Sequence, residues 1–333
     1  MSPSLADPFE IRGRGPTVRF PNRLILAPME GITDPVFRDL MIGHGGVGGA
    51  ITEFIRISVN PIPRKVVARS LGTVAGPVPV GVQFMAADEE HLAASIVNAQ
   101  SLGAPWFDLN FGCPAPVVFS KCAGSALLDH PDRLATIVRT AVAATDRPVS
   151  AKMRAGVRDP GRLRELVLAA AEAGAVMITL HARLRVTSYD EPATWSWITD
   201  ARRALDAAGY DQVPLVGNGG IAEPGDAAAM MEATGCAAVM IGRASLADPW
   251  IFRTSLGLGV PSVADGAAFA LRYAEAILAE RAPLVACKKL KQMTRWYRCG
   301  GIFTGCEDDR RRLLRSDQLE DILAWYRSRL GAA

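Results

Sequence analysis

The chain alternates eight short apolar runs with segments of helical character. The runs cover residues 24–29, 49–54, 78–84, 107–112, 149–155, 176–182, 213–218 and 237–242. Most of them are continuously apolar, as expected of parallel strands that are covered on both faces. Eight strand–helix units in succession predict an α/β fold, a TIM (β/α)8 barrel, with a doubly wound sheet as the main competitor.

The last part of the chain has another pattern. The stretch "LGLGVPSVADG" is typical of a linker, and the sequence beyond it shows helical periodicity without strands, most clearly in "DQLEDILAWYRSRL". We therefore predict a barrel domain over residues 20–257 and a small all-helical domain over residues 262–333. Residues 261–333 carry 13 Lys and Arg against 9 Asp and Glu, which favours a polyanionic partner for this part.

Several other classes of protein are disfavoured by the composition. The first 20 residues lack the apolar core of a signal peptide, and the longest uncharged run, residues 70–87, holds three glycines and two prolines. We therefore expect a cytoplasmic protein without a membrane span. The six cysteines form no C-x-x-C pair, and no histidine lies near Cys287, Cys299 and Cys306, so we expect no metal site and no disulfide framework. For the assembly we expect a monomer.

The carboxyl ends of the predicted strands collect residues that suit chemistry. In a TIM barrel these ends form the active site. Because so many polar and glycine residues stand at these strand ends, we predict an active site at the face of the barrel that the ends form. The residues are Pro28, Met29, Glu30, Glu53, Gln83, Asn110, Cys113, Lys152, Arg154, His181, Arg183, Asn218, Gly219, Gly220, Gly242 and Arg243.

The ends of the last two predicted strands, "NGGI" and "IGRA", indicate a phosphate site. Glycines let an oxyanion approach backbone N–H groups, and Arg243 can add a charge-assisted hydrogen bond. The alternative is a pair of ordinary turns. Lys152 is a cation that could hold an anionic ring, or a lysine that merely faces solvent. His181, taken alone, would more often be a core histidine.

The stretch "DLNFGCPAP", residues 108–116, places Cys113 just beyond a predicted buried strand. With an ordinary pKa of about 8.5, this thiol is mostly protonated at neutral pH. It could act as a general acid, a contribution typically worth about 10²–10⁴ in rate. As an attacking thiolate it would need a nearby base, and no Cys–His–Asn order of a thiol hydrolase is evident.

Six strand-end motifs together resemble those of the tRNA-dihydrouridine synthases. The stretch "LKQMTRWY" (290–297) extends the resemblance beyond the barrel. Glu30 in "PMEG" and the run "ITEFIRI" (51–57) are most similar to the bacterial type C branch, which is associated with position 16 of the D-loop. The six motifs are "LAPMEGITDPVFR", "DLNFGCPAPVVFSKCAGSALL", "AKMRAG", "HARLRVTSY", "VPLVGNGGI" and "VMIGRASLADPWIF".

This resemblance implies an FMN-containing barrel that reduces the C5–C6 bond of uridines in tRNA. NADPH would reduce the flavin, hydride would pass to C6, and Cys113 would protonate C5. Asn110 would help to orient the flipped-out uracil, and Arg154 and Arg183 would contact the base or its phosphate. The resemblance assigns FMN binding to Pro28, Met29, Gln83, Lys152, His181, Asn218, Gly219, Gly242 and Arg243, and contact with the tRNA backbone to Lys288, Lys289, Lys291, Arg295 and Arg298.

The chain departs from the family pattern in the loops expected near the RNA. Pro116 and Phe119 stand where the family often has a lysine and a V-N pair. Ala182 and Leu184 alter the common H-G-R-T pattern, and Thr187 occupies a frequent glutamine position. We expect these changes to affect RNA docking more than the flavin chemistry.

Two other functions are compatible with the same residues. One is an FMN-dependent reductase of a free pyrimidine-like small molecule, which the basic helical part argues against. The other is a non-catalytic tRNA-binding protein that keeps the fold, which Cys113 and the flavin-binding set argue against.

Overall fold

The structure is a computed structural model that describes residues 3–73, 76–188 and 190–331. Three stretches used in the sequence predictions extend beyond these residues. Tyr189, the last residue of the motif "HARLRVTSY", lies outside them, as do residues 332 and 333 of the predicted helical domain. Residues 74 and 75 of the long uncharged run also lie outside.

The strands form a small hairpin and a closed parallel barrel. Strands β1 and β2 pair antiparallel, and the others form one parallel sheet in the order β4-β3-β11-β10-β9-β8-β7-β6-β5. A further pairing of β4 with β6 closes the sheet into a ring, in which β4 and β5 are two parts of one barrel strand. The strands are β1 (Phe9–Arg12), β2 (Thr17–Phe20), β3 (Leu24–Leu26), β4 (Gly49–Ile51), β5 (Ile55–Arg56), β6 (Val80–Met85), β7 (Phe107–Phe111), β8 (Val149–Gly156), β9 (Met177–Leu184), β10 (Leu215–Asn218) and β11 (Ala238–Ile241).

Helices follow the barrel strands and then continue alone at the end of the chain. They are α1 (Pro35–His44), α2 (Arg64–Leu71), α3 (Leu92–Gln100), α4 (Pro116–Phe119), α5 (Pro131–Ala143), α6 (Leu163–Glu172), α7 (Ser196–Ala207), α8 (Pro224–Thr234), α9 (Ala244–Ala247), α10 (Ile251–Ser255), α11 (Val263–Glu280), α12 (Pro283–Thr294), α13 (Glu307–Arg315) and α14 (Leu319–Ser328). Short 3-10 helices cover Gly124–Asp129 and Cys299–Gly301.

The predicted TIM barrel with C-terminal helices is confirmed, and the doubly wound sheet is excluded because the ring closes. Each of the eight predicted runs contains a barrel strand. The strand ends differ by a few residues: β3 already ends at Leu26, whereas β9 continues to Leu184. Sequence reasoning missed the hairpin of β1 and β2, since its strands are short and half exposed.

The C-terminal helices share one apolar core with the barrel. Buried residues of α1, such as Phe37, belong to the same cluster as Tyr273 of α11, and their two rings meet edge-on at 5.5 Å. The division into independent domains at residues 257 and 262 stays a prediction. Within the described part of the chain, no helix combines the length and apolar character that crossing a membrane requires.

The hairpin of β1 and β2 fills the amino-terminal end of the barrel. Ile11, Val18 and Phe20 lie in one buried cluster with residues that begin or line the barrel strands, including Trp106. The rings of Phe20 and Trp106 meet edge-on at 5.3 Å. Gly81 on β6 leaves room for Trp106, since a Cβ at that position would lie 2.3 Å from the indole ring. The barrel floor is therefore closed by aromatic packing.

Replacing Phe20 by alanine should lower the free energy of unfolding by about 3–5 kcal/mol, because a fully buried ring is lost and a cavity remains. Denaturant unfolding followed by circular dichroism measures this change. Val59, which is 78% exposed, provides the control, since Val59→Ala should change the free energy by less than about 0.5 kcal/mol. A similarly small effect of Phe20→Ala would show that the hairpin does not belong to the barrel core.

Candidate active site

One cavity of about 540 Å³ opens at the carboxyl ends of the barrel strands. Residues from nearly every strand end contribute to it, so the barrel geometry brings together positions that are far apart in sequence. The lining consists of Ala27, Pro28, Met29, Glu30, Ile32, Phe54, Asn110, Gly112, Cys113, Pro114, Ala115, Pro116, Lys152, Arg154, His181, Arg183, Asn218, Gly219, Gly220, Ile221, Met240, Gly242 and Arg243.

Most of the predicted site residues meet in this cavity. The exceptions are Gln83, which is fully buried and bonded to Asn110, Glu53, whose carboxylate accepts from the N–H of Ile32, and the basic residues of α12 and the segment after it. The predicted residues that line the cavity are Pro28, Met29, Glu30, Asn110, Cys113, Lys152, Arg154, His181, Arg183, Asn218, Gly219, Gly220, Gly242 and Arg243.

The loop after β7 holds Cys113 in a fixed position. The side-chain oxygen of Asn110 accepts hydrogen bonds from the backbone N–H of Gly112 at 3.0 Å and of Cys113 at 2.9 Å. From the other side, the hydroxyl of Ser125 donates to the carbonyl of Cys113 at 2.7 Å. Because the N–H and the carbonyl of Cys113 are both hydrogen-bonded, the loop is held in place where the thiol projects into the cavity.

A chain of buried hydrogen bonds supports Asn110 in turn. The amide nitrogen of Asn110 donates to Gln83 Oε1 at 2.8 Å, and Gln83 Nε2 donates to Asp108 Oδ2 at 2.7 Å. Ser150 donates to the other oxygen of Asp108 at 2.6 Å. Each amide is therefore held in one orientation, because a flip would set two acceptors or two donors against each other.

Asp108 supports the site from outside the cavity, and sequence reasoning missed it. Burial raises its pKa to about 6, although the hydrogen bonds from Ser150 and Gln83 and the charge of Lys152 act in the opposite direction. The available signal was a carboxylate inside an otherwise apolar strand, "FDLNF". A buried acid in such a run needs hydrogen-bond donors, which β6 and β8 supply.

The surroundings of Cys113 favour the protonated thiol. Burial raises the pKa of Cys113, and the nearby Glu30 acts in the same direction. A backbone hydrogen bond from Ala115 and the charges of Arg154 and Arg56 oppose this change without reversing it. The group is thus suited to donate a proton at neutral pH rather than to attack as a thiolate.

Lys152 and Asn218 place a cationic group on the cavity wall. Lys152 Nζ donates to Asn218 Oδ1 at 3.3 Å, and Asn218 Nδ2 donates to the carbonyl of Met240 at 2.8 Å, which fixes the amide orientation. Burial lowers the pKa of Lys152 to about 8. The lysine therefore remains mostly charged at neutral pH but lies close to its titration range.

The two predicted substrate arginines are buried and bonded to backbone. Arg154 donates to the carbonyls of Gly112 and Leu184 at 3.0 and 2.8 Å. Arg183 donates to the carbonyl of Glu191 at 2.7 Å. These bonds tie β8 to the loop after β7 and to the end of β9, and tie β9 to the loop that follows it, close to the register shift between Arg154 and Gly156. The arginines thus shape the wall of the cavity.

His181 is held as a neutral imidazole. Arg183 Nη1 lies 3.1 Å from His181 Nε2. Because a guanidinium can only donate, Nε2 must accept and the ring proton must be on Nδ1. Burial, with the charges of Lys152 and the neighbouring arginines, lowers the pKa of His181 well below 6.5.

Glycines bring the main chain to the cavity at the ends of β10 and β11. Gly219 and Gly220 have φ values of +104° and +79°, which disfavour any side chain. A Cβ on Gly219 would also lie 2.8 Å from the ring of His181. A Cβ on Gly242 would reach within 3.5 Å of Met29 and would occupy space in the cavity.

The predicted RNA-binding residues of the C-terminal helices are not equivalent. Lys288 and Arg295 are exposed. Lys291 donates to the carbonyl of Ser316 and to Asp317, and Arg298 forms an ion pair with Glu223 at 2.6 Å. Lys289 contacts the barrel instead, through the carbonyl of Gly31 and the carboxylate of Asp34.

The residues that depart from the family pattern lie on the segment after β7 and at or just beyond the end of β9. Pro116 lines the cavity at the start of α4, and the ring of Phe119 packs 3.8 Å below the guanidinium of Arg185. Ala182 is fully buried, and the carbonyl of Leu184 accepts the hydrogen bond from Arg154. The Phe119–Arg185 contact joins the segment after β7 to the loop after β9.

Among the described residues, no group of three or more His, Cys, Asp or Glu side chains could hold a metal ion.

Comparison with known proteins identifies the family. The model of the family described as dihydrouridine synthase (Dus) matches residues 25–300. The chain is similar to the tRNA-dihydrouridine(16) synthase of Cupriavidus necator, with 38% identity over 251 residues that cover 72% of this chain and 76% of the relative. The tRNA-dihydrouridine(16) synthase of Shewanella oneidensis is 34% identical over 284 residues, which cover 83% and 87% of the two chains.

A third relative of the same name, from Neisseria meningitidis serogroup B, is 35% identical over 240 residues, covering 69% of this chain and 70% of its own. The family match spans all eight barrel strands and continues into α12, so it includes the whole cavity. The chain therefore belongs to the dihydrouridine synthase family, a family of flavin-dependent oxidoreductases.

Proposed function

We propose that this protein reduces the C5–C6 bond of uridine 16 in the D-loop of tRNA to give 5,6-dihydrouridine. FMN would be the bound cofactor, and NADPH the reductant. The observation that carries this proposal is the placement of the Cys113 thiol, which Asn110 holds in a cavity that also presents Lys152. The relatives' names, which all specify position 16, support the choice of uridine.

The cavity has the features that FMN requires. Its volume of about 540 Å³ falls within the roughly 300–1,000 Å³ of typical ligand sites. Apolar groups of Ala27, Met29 and Met240 offer a surface for a flat ring system, and Lys152 can hold its electron-rich edge. When bound and reduced by NADPH, FMN would supply the hydride for C6 of the uracil.

The phosphate of FMN would bind at the other end of the cavity. Gly219 and Gly242 leave the main chain accessible there, and Arg243 adds a positive charge. The neutral His181, with its proton on Nδ1, would complete this side of the site. The contact between Gln83 and FMN stays a prediction, since in the structure the amide of Gln83 is bonded to Asp108 and Asn110.

Cys113 would complete the reduction by donating the proton of its Sγ to C5 of the uracil. The C5–C6 double bond is lost, one C–H bond forms at each carbon, and the resulting thiolate regains a proton from water. Because burial raises the pKa of the thiol, the acid form is present before each turnover. Asn110 fixes the direction of the donation by holding the backbone of Cys113.

Exposed basic residues of the C-terminal helices would bind the RNA. A uridine must leave its stack to enter the cavity, so the surrounding backbone has to be held while one base is inserted. Lys288 and Arg295 are exposed and free to approach phosphates, and Trp296 is half exposed beside Arg295. Such an enzyme would act in the cytoplasm, where tRNA is used.

The function is tested with purified protein, FMN, NADPH and tRNA that lacks dihydrouridine. We expect a mass increase of about 2 Da, the two added hydrogens, at uridine 16, found by mass mapping of nuclease fragments. Cys113→Ser should slow product formation by about 10²–10⁴, because a hydroxyl is a far weaker acid than a thiol. The matched control is Cys122→Ser, an exposed cysteine nearby that does not line the cavity, and it should retain the full rate.

Full activity of Cys113→Ser would refute the acid assignment, and product at another uridine would refute position 16. Reduction of free uracil in the absence of tRNA would instead support the small-molecule reductase.

The affinity of the apoprotein for FMN should fall as the pH rises, because Lys152 loses its charge. Its pKa of about 8 means that the charge is lost as the pH rises. Binding should weaken about tenfold between about pH 7 and about pH 9, because only the protonated lysine attracts the anionic ligand. Fluorescence titration with FMN measures the decline. Lys152→Met should bind more weakly but without this pH dependence; an unchanged decline in that variant would assign it to another group.

A further inference from the structure

Helix α12 contacts the wall of the cavity through the side chain of Lys289. Its Nζ donates to the backbone carbonyl of Gly31 at 2.9 Å and lies 2.9 Å from Asp34 Oδ2. The Lys289 side chain is only 14% exposed. Both acceptors belong to the loop between β3 and α1, so the lysine joins the C-terminal helices to the barrel at this loop.

The loop that Lys289 contacts forms one side of the cavity. Pro28, Met29, Glu30 and Ile32 all line it. Within the loop, Thr33 Oγ1 accepts from the N–H of Met29 at 2.7 Å. A carboxylate oxygen of Glu53 likewise accepts from the N–H of Ile32 at 3.1 Å. Lys289 adds a third contact, with the carbonyl of Gly31, which lies between Met29 and Ile32 in the sequence.

The partner of Lys289, Asp34, is itself engaged in the fold. Asp34 caps α1 by accepting from the N–H of Phe37 at 3.1 Å. Its other oxygen lies 2.9 Å from Lys289 and 3.5 Å from Arg281, and its side chain is 11% exposed. Moving Lys289 away would leave a shielded carboxylate with a more distant cation and a carbonyl without its charged donor.

Lys288, the preceding residue on α12, is in a different situation, because it is exposed to solvent. A lysine that binds a phosphate must bring its ammonium group to the RNA. Lys288 can do so at no structural cost. Lys289 could do so only by giving up two short contacts with the cavity wall.

We propose that Lys289 is a positioning residue for the cofactor and substrate cavity, and not a contact for tRNA phosphate. It braces the β3–α1 loop from the C-terminal helices, so that the wall formed by Met29, Glu30 and Ile32 keeps its place. This inference rests on the proposed function, and it differs from the role that the sequence predicts for Lys289.

The test compares Lys289→Met with Lys288→Met, two neighbouring substitutions that remove the same charge. Lys289→Met should weaken FMN binding by about three- to tenfold, because a charged hydrogen bond to the wall is lost. It should leave the salt dependence of tRNA binding unchanged. Lys288→Met should lower the slope of log affinity against log salt concentration by about 0.7–0.9, as expected for one lost phosphate contact, with unchanged FMN binding.

Asp34→Asn tests the same contact from the other side. Asparagine still caps a helix, so α1 should be retained. If Lys289 is a brace, Asp34→Asn should weaken FMN binding as Lys289→Met does, and the double variant should lose less than the sum of the two. If Lys289 binds phosphate, removing its carboxylate partner should instead leave FMN binding unchanged and strengthen tRNA binding.

The proposal is overturned if Lys289→Met lowers the salt slope, or if it binds FMN as tightly as the unchanged protein. Failure of the proposed function gives a different result, since the unchanged protein would then bind no FMN or would give no dihydrouridine with tRNA. Circular dichroism spectra of all variants show whether a loss of FMN binding reflects unfolding. If Lys289→Met does not fold, the FMN and tRNA binding of Asp34→Asn distinguishes a brace from a phosphate contact.

Discussion

The hydrogen bonds that Asn110 Oδ1 accepts from the N–H groups of Gly112 and Cys113 are the contacts on which the site depends most. They fix the backbone of Cys113, the proton donor that we propose for the cavity. These hydrogen bonds form only when the side-chain oxygen of Asn110 faces the two N–H groups, so they require that the amide does not flip. Gln83 holds the nitrogen of Asn110, and Asp108, at the start of the series, holds the nitrogen of Gln83. The position of the Cys113 thiol thus depends on the carboxylate of Asp108, which does not line the cavity.

The same burial that makes this chain of bonds strong also sets the charges of the site. Withdrawing Cys113 from water raises the pKa of the thiol and keeps it protonated, whereas withdrawing Lys152 lowers its pKa to about 8. His181 is driven to the neutral form by burial and by the surrounding cations. An acid, a cation near its titration range and a neutral donor therefore lie in one cavity because of how deeply each is buried.

The barrel could be predicted from the sequence because eight continuous apolar runs allow few other folds, and the carboxyl ends of its strands then follow from topology. The hairpin of β1 and β2 could not, because strands of four residues with half-exposed patterns carry little signal. Sequence identifies Lys288 and Lys289 only as two basic neighbours; their different surroundings depend on how α12 packs against the loop after β3. Asp108 was missed for a similar reason, since its partners Gln83 and Ser150 come from two other strands.

The most direct test of this account is the single-turnover rate at which FMN-saturated, prereduced Asp108→Ala converts uridine in tRNA. Asp108 does not line the cavity, and hydrogen bonds connect it to Cys113 through Gln83 and Asn110. Its charge also acts on Lys152, and saturation with FMN removes the effect of this second route on cofactor binding. We expect the rate to fall by about tenfold or more, because a proton donor that is no longer held in line loses much of its contribution. A rate equal to that of the unchanged protein would show that the buried hydrogen bonds do not control proton donation.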